Sequence, residues 1–297
     1  ALPVTAIDAD GNPTAFGDQF AYVASNGELL YTQVQDEIDP FGGNVLIEGS
    51  AELLFPLPFI KDPIQFLSAK HKGNSNIRQA KSIYFSQCKK SEQEKSGMRV
   101  AHRELMDKGF MIKIQDLPPE TQNMIKNSEF KHYYPWFIVK KEDSISTPIR
   151  MVVDPSCTGM NSILPKGENK MGNIPEIIMR NRVKEFIWMS DVSKLYNQLE
   201  LNTSAYPFSL FLYHESLAEN VNPDVYVMLR AWYGVVSTGN QAGFALDKLA
   251  EMGSYDFPNA KFSLVRDRYV DDIFSGSESE LGRDTQINEV KGLLETA

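Results

Sequence analysis

Two adjacent carboxylates, Asp271 and Asp272, stand in the stretch Tyr269-Val270-Asp271-Asp272, with the apolar run Phe262-Ser263-Leu264-Val265 before it and Ile273-Phe274 after it. Strand-forming residues on both sides of a short centre predict a β-hairpin that carries both acids at its tip. Packing gives no reason for such a pair. Neighbouring carboxylates repel each other and resist desolvation, so a half-buried strand keeps them when a cation neutralises them. The other reading is a solvated turn, because aspartate is common in turns. A third acid separates the two readings. Asp191 ends the apolar strand Phe186-Ile187-Trp188-Met189-Ser190 and runs on into VSKLYNQLEL. One acid at a strand end and an acid pair on another strand form the minimum donor set for two magnesium ions serving an in-line displacement at phosphorus.

The order of four stretches, IRMVVDPS (149–156), SDVSKLYNQLEL (190–201), AWYGVV (231–236) and RYVDDIFSG (268–276), resembles that of reverse transcriptases. Over residues 45–297 the chain is most similar to those of the BEL/Pao class of LTR retrotransposons. The resemblance implies an RNA-directed DNA polymerase, a nucleotidyltransferase that joins a deoxynucleotide to a primer 3′-hydroxyl with two Mg2+ ions, for which Mn2+ could substitute. Asp191 and Asp271 would be the main metal ligands, with Asp272 secondary and Val192 adding its backbone carbonyl. The implied fold is α+β: a fingers lobe over 45–185 and a palm over 186–297, whose antiparallel sheet is backed by helices in the split βαβ, ferredoxin-like manner. Residues 1–44 form a small β-containing segment of unassigned role. The expected partners are an RNA template, a DNA primer or primer-template duplex, deoxynucleoside triphosphates, and the remainder of the polyprotein: thumb, connection, RNase H and integrase. Thumb, connection, RNase H and integrase are expected to lie outside these residues, as is the preceding protease, whose D-T/S-G signature does not occur in them. A cut chain, a gene fragment and a domesticated, noncatalytic nucleic-acid-binding or structural derivative all stay open.

The resemblance also assigns nucleotide contacts. Trp136 to Lys141 and Ile149 to Val153 predict two strands joined by EDSISTP. Lys140 and Lys141 on one strand and Arg150 on the other would clamp a triphosphate through charge-assisted hydrogen bonds, Lys141 and Arg150 being the closer matches. A solvated hairpin is the alternative. Tyr196, five residues beyond Asp191, would lie under the sugar and exclude a 2′-hydroxyl, or else pack in the core. Tyr233 and Gly234 match an aromatic-glycine turn that supports the templating base and the nucleotide. The Ala-Pro usual after that turn is replaced within Gly239-Asn240-Gln241-Ala242.

Charge distribution agrees with this division of labour. Residues 1–60 hold 9 acids and no Lys or Arg, 61–190 hold 22 basic against 14 acidic residues, and 191–297 hold 8 against 16, within a net charge of -9. A basic middle suits phosphates and an acidic last third suits metal, although alternating charge also simply solubilises a surface. Cys88 and Cys157 have no CxxC spacing, and His71, His102, His132 and His214 have no metal-ligand spacing, so neither a disulfide framework nor a zinc site is expected. No apolar stretch approaches the roughly 20 residues that span a bilayer. The expectation is a chain with no membrane contact in the cytoplasm, or within virus-like particles there.

The elements that must hold these residues are legible in outline. Ser25-Asn26-Gly27 between Phe20–Ala24 and Glu28–Val34 predicts a hairpin, and DADGN at 8–12 reads as a plain turn. A strand and a Pro-broken loop occupy 45–60. Apolar spacing predicts helices over 74–90, capped by Asn74 or Ser75, and over 92–108, presenting Val100, Leu105 and Met106 and stopped by Gly109. Asn173 and Pro175 open a helix over 174–183. Residues 207–213 and 224–231 read as paired strands, 240–253 and 280–294 as helices, and Asp154 as the cap of a turn.

Overall fold

A computed structural model describes residues 19–23, 29–33, 54–140, 149–168, 170 and 172–296, with backbone only at 19–23, 29–33 and 149. The fold is mixed helix and strand, with small sheets that are antiparallel but for one short parallel pair, Leu54–Phe55 with Glu200–Leu201. No helix among the described residues is long and apolar enough to cross a membrane. Two compact units interleave along the chain: one holds 1–165 and 200–238, the other 166–199 and 239–297. Each unit is thus built from two separate stretches of the chain.

The first unit contains β1 (Gln19–Val23), β2 (Leu29–Gln33), β3 (Leu54–Phe55), α1 (Pro63–His71), α2 (Ile77–Cys88), α3 (Glu92–Asp107), β4 (Met111–Lys113), α4 (Pro119–Asn127), β5 (Trp136–Lys140), β6 (Ile149–Val153) and α5 (Pro155–Thr158). Numbered on in chain order, β8 (Glu200–Leu201), β9 (Leu210–Tyr213) and β10 (Asp224–Met228) complete it, β7 belonging to the second unit. β1 and β2 pair antiparallel, as the Asn-Gly signal predicts, while the residues joining them, the DADGN turn and 45–53 lie outside the described residues. The core is aromatic. β10 is the centre of a β4-β10-β9 sheet, and His102 of α3 stacks on Tyr213 at 3.7 Å between ring centroids and meets Tyr226 edge-on at 4.8 Å. Trp136 is buried beside them and its indole N–H donates to the Leu212 carbonyl at 2.8 Å, which removes the cost of sealing that donor from water.

Several expectations need correction here. α3 buries Met98 and His102, and Val100 is 67% exposed. Two positions at 100° each carry Val100 about 200° round the helix from Met98, away from the face that meets the sheet. The start of α3 is a capping box, Ser91 accepting from the Glu94 N–H while Glu94 accepts from the Ser91 N–H, a pattern legible as S-x-x-E. Gly109 ends the helix at φ +67° as expected. α2 starts after Asn76, whose side chain is drawn off to both backbone groups of Tyr133, and Ser75 Oγ accepts from the Ile77 N–H. Residues 203–208 form a 3-10 helix containing Pro207, so the expected strand begins only at Leu210.

The second unit comprises α6 (Ile174–Asn181), β7 (Phe186–Asp191), α7 (Leu195–Gln198), α8 (Thr238–Met252, from Gly239), α9 (Pro258–Arg266), β11 (Arg268–Tyr269), β12 (Asp272–Ser277) and α10 (Glu280–Glu295). Its sheet runs β11-β12-β7, antiparallel throughout. The run Phe262-Ser263-Leu264-Val265 is helical, not the first strand of a hairpin. Pro258 sits in the first turn of α9, where a missing N–H does no harm, and Ala260, Ser263 and Leu264 are the residues it buries, a helical spacing. α10 packs on β12 and β7, where the Trp188 indole donates to Gln286 Oε1 at 2.9 Å. α6 is tied down by Asn181, which donates to the Phe274 carbonyl at 2.9 Å. Beneath β12 lies a sealed polar group: Asp267, 1% exposed, accepts from Ser275 Oγ at 2.8 Å and from Arg180 Nε at 3.2 Å. A buried carboxylate so held fixes the start of β11. On β7, Ile187 and Met189 point outward and are exposed, on the same side as Asp191.

Candidate metal centre

Register brings the three acids together. β7 and β12 align Ser190 with Ile273 and Asp191 with Asp272, so these two aspartates are cross-strand partners on one face. Asp271 follows from the turn: β11 and β12 pair Tyr269 with Asp272, leaving Val270 and Asp271 as the two-residue loop. The Asp271 carbonyl accepts from the Val192 N–H at 2.8 Å, which ties the turn to the end of β7. One carboxylate oxygen from each of Asp191, Asp271 and Asp272 then lies within 4.8 Å of the other two.

Val270 sits at φ +58°. A β-branched residue in the left-handed region costs on the order of 1–3 kcal/mol, and such strain persists where the surroundings over-determine the backbone. The sequence offers Val where a relaxed turn would offer Gly or Asn, so the acids are displayed by a turn held against its own preference. The donor set is three hard oxygens with no nitrogen or sulfur, which fits Mg2+, Mn2+ or Ca2+ and not a zinc or copper site. The Val192 carbonyl accepts from the Leu195 N–H at 3.2 Å and keeps a second lone pair for a cation.

Tyr196, on α7, is in the same unit as the acids. It is half-buried, and burial first, then the charge of Asp271, pushes its phenol above the usual value. A methyl on Gly239 would lie 3.3 Å from its hydroxyl, so the start of α8 stands close to the tip of the ring.

The remaining predicted contacts belong to the first unit. β5 and β6 pair Val139 with Arg150 and Lys140 with Ile149. Arg150 therefore shares the exposed face with Phe137 and Val139, while Lys140 is on the opposite face and pairs with Glu94 at 3.1 Å. Hydrogen bonds from Ser91 and then Lys140 pull the Glu94 carboxyl down to about 2. Lys140 and Arg150 are thus not brought together, and Lys141 lies outside the described residues. Gly234, at φ +105°, is packed against β6: a methyl there would lie 2.6 Å from the Val153 carbonyl oxygen. Asn161 locks the turn, donating to the Gly234 carbonyl at 2.9 Å and accepting from the Val236 N–H at 3.0 Å. Tyr233 beside it is 38% exposed. Asn161 carried no sequence signal, being a lone amide in a loop.

One concavity in the first unit, of about 460 Å³, contains none of these residues; His102, Lys113 and Asp224 line it. Comparison with known proteins found no family model that matches the chain and no curated protein similar to it, so its chemistry is argued from its own residues.

Proposed function

We propose that the chain is the fingers and palm portion of an RNA-directed DNA polymerase of the retrotransposon type, transferring deoxynucleotides to a primer 3′-hydroxyl. The observation that carries the reading is the convergence of three carboxylates, from one strand end and one strained turn, within 4.8 Å of each other. Two bound magnesium ions would acidify the primer hydroxyl and stabilise the leaving pyrophosphate. Asp191 and Asp271 would be their main ligands, with Asp272 secondary and the Val192 backbone carbonyl a further donor. Tyr196 walls the sugar position, close enough for Asp271 to perturb its phenol. Arg150, with a guanidinium on an exposed strand face, and Tyr233 with Gly234 belong to the first unit, and the resemblance would give them the triphosphate and the base pair respectively. The palm of the proposal is the β11-β12-β7 sheet with α6, α9 and α10 on it.

Extension of a DNA primer on an RNA template, with Mg2+ or Mn2+ and with deoxy- or ribonucleotides, tests the reading. Metal-dependent deoxynucleotide incorporation is expected. Tyr196→Ala should raise ribonucleotide incorporation relative to deoxynucleotide by on the order of 10- to 100-fold, the range that one added or missing group in a fitted pocket is worth. An unchanged ratio makes Tyr196 a packing residue. Duplex binding with no incorporation under either metal leaves a noncatalytic nucleic-acid-binding derivative.

A further inference from the structure

Arg268, immediately before the Tyr269–Asp272 stretch, is 3% exposed, and its guanidinium is spent on four acceptors. Nε donates to the Leu264 carbonyl in α9 at 2.8 Å, Nη1 to the Val270 carbonyl at 3.4 Å, and Nη2 to the Gly243 carbonyl at 3.4 Å and to Asp247 Oδ1 at 2.9 Å in α8. Three elements thus share one rigid fork. Arginine offers five donors in fixed directions from a planar, charged head, whereas a lysine presents three donors from a single point. Burial raises the Asp247 carboxyl above its usual value and Arg268 counters it. The backbone carbonyl of Arg268 also packs on Gly172, so closely that no side chain fits there.

The acceptor that matters is Val270. Its backbone is the strained one, its neighbour Asp271 is a donor to the candidate metal, and a left-handed valine relaxes unless something holds it. Two anchors do: the Val192 N–H on the Asp271 carbonyl from the β7 side, and Arg268 on the Val270 carbonyl from the α8 side. We infer that the Arg268–Asp247 pair is a positioning strut that ties the acid-bearing turn to α8, so that the geometry of the carboxylate cluster depends on where α8 stands. α8 also carries Gly239, against which the Tyr196 hydroxyl lies. In the polymerase reading, on which the catalytic meaning of the strut rests, the helix beside the sugar-facing tyrosine then sets the metal-holding turn.

The test is amide hydrogen exchange at Val192 in the full chain without metal, because that N–H reports the seat of the turn directly. Arg268→Lys keeps a cation for Asp247 and loses the fork, and Asp247→Ala releases the α8 end. Each is expected to lower Val192 protection by about tenfold, the worth of one hydrogen bond to a charged group. Val290→Ala, a cavity in α10 remote from the turn, serves as the reference for general loosening. Mn2+ binding should weaken by a similar factor in both strut variants. Should Arg268→Lys not fold, Asp247→Ala alone decides. Protection within twofold of the parent, or no lower than in Val290→Ala, overturns the strut. A parent that takes up no Mn2+ defeats the polymerase reading instead, while the exchange result still decides the strut.

Discussion

Asp271→Asn is expected to lower metal-dependent nucleotide incorporation by on the order of 10² to 10⁴-fold, as loss of a preorganised charge in a reaction centre does. The fold should survive, and the physical chemistry of the cluster says so. Two unit charges at the 4.8 Å within which these oxygens lie repel by at least about 0.9 kcal/mol in water-like surroundings and at least about 3.5 at an effective dielectric of 20. Asp191 and Asp272 are exposed and Asp271 is half-buried, so the lower figure is the closer one. Removing one charge relieves that repulsion, and without metal the variant should melt at or slightly above the parent temperature. With Mg2+ or Mn2+ the order reverses, because only the parent gains stability by mass action. The paired measurement is Tm against metal concentration, alongside primer extension. Incorporation persisting within tenfold, about 1.4 kcal/mol on the barrier, removes Asp271 from the reaction. A metal-induced rise in Tm of equal size in both proteins removes it from the metal site.

Acid should unfold the first unit by a route that owes nothing to the carboxylates. Burial, with Lys113 and Arg103 adding to it, pushes His102 down to about 4. Burial pushes His132 down to about 3, the Phe208 carbonyl opposing and His71 assisting. A free imidazole takes its proton near 6.5. Between that pH and the folded values the unfolded chain binds protons that the fold refuses, so stability falls as pH falls, and the loss is complete once both states are protonated. At pH 5 each imidazole contributes about 2 kcal/mol of loss, about 4 together, against a total of 5–15 for a typical domain. Urea unfolding at pH 7 and pH 5 measures it. His102→Phe keeps the stack on Tyr213, gives up no hydrogen bond at Nε2, which has no partner, and should remove about half of the pH dependence. A parent that loses less than about 1 kcal/mol over that interval, or a variant with undiminished dependence, assigns the acid response to other groups.

The legible part of the fold was what local chemistry fixes. Asn173 and Asp154 at their caps, the Pro175 and Gly109 punctuation, and the strand ending in Asp191 all stand where spacing puts them, whereas the cap of α2 does not. Convergence of Asp191 with the acid pair was legible as chemistry, because a third acid at a second strand end is more than a solvated turn calls for. What failed were judgements of face and of period. Phe262-Ser263-Leu264-Val265 is four residues long, too short to tell period 2 from 3.6, and Pro258 was the overlooked signal. Val100 looked like core because valine usually is, and the buried histidine on the true face was read only as a non-ligand. Arg268 and Asp247 were invisible in kind: one is flanked by a turn motif and the other is a charge on a helix, and only tertiary structure makes a strut of them. The interleaving of the two units was equally hidden, since no composition shift marks residues 165, 199 or 238.

That interleaving has a consequence for the order in which the chain acquires structure. Asp191 and Asp272 pair across 81 positions, and closing a loop of that length costs about 4 kcal/mol before any contact repays it. During synthesis, β7 emerges with Ile187 and Met189 outward and waits for β12 as an unsatisfied strand. Residues 200–238, which belong to the other unit, are made in the interval. The carboxylate cluster therefore forms only once β12 has been made, too late for a cation to guide the steps before it. A nascent chain halted between residues 199 and 272 would carry an exposed apolar strand with no partner, the species most exposed to aggregation or to a chaperone.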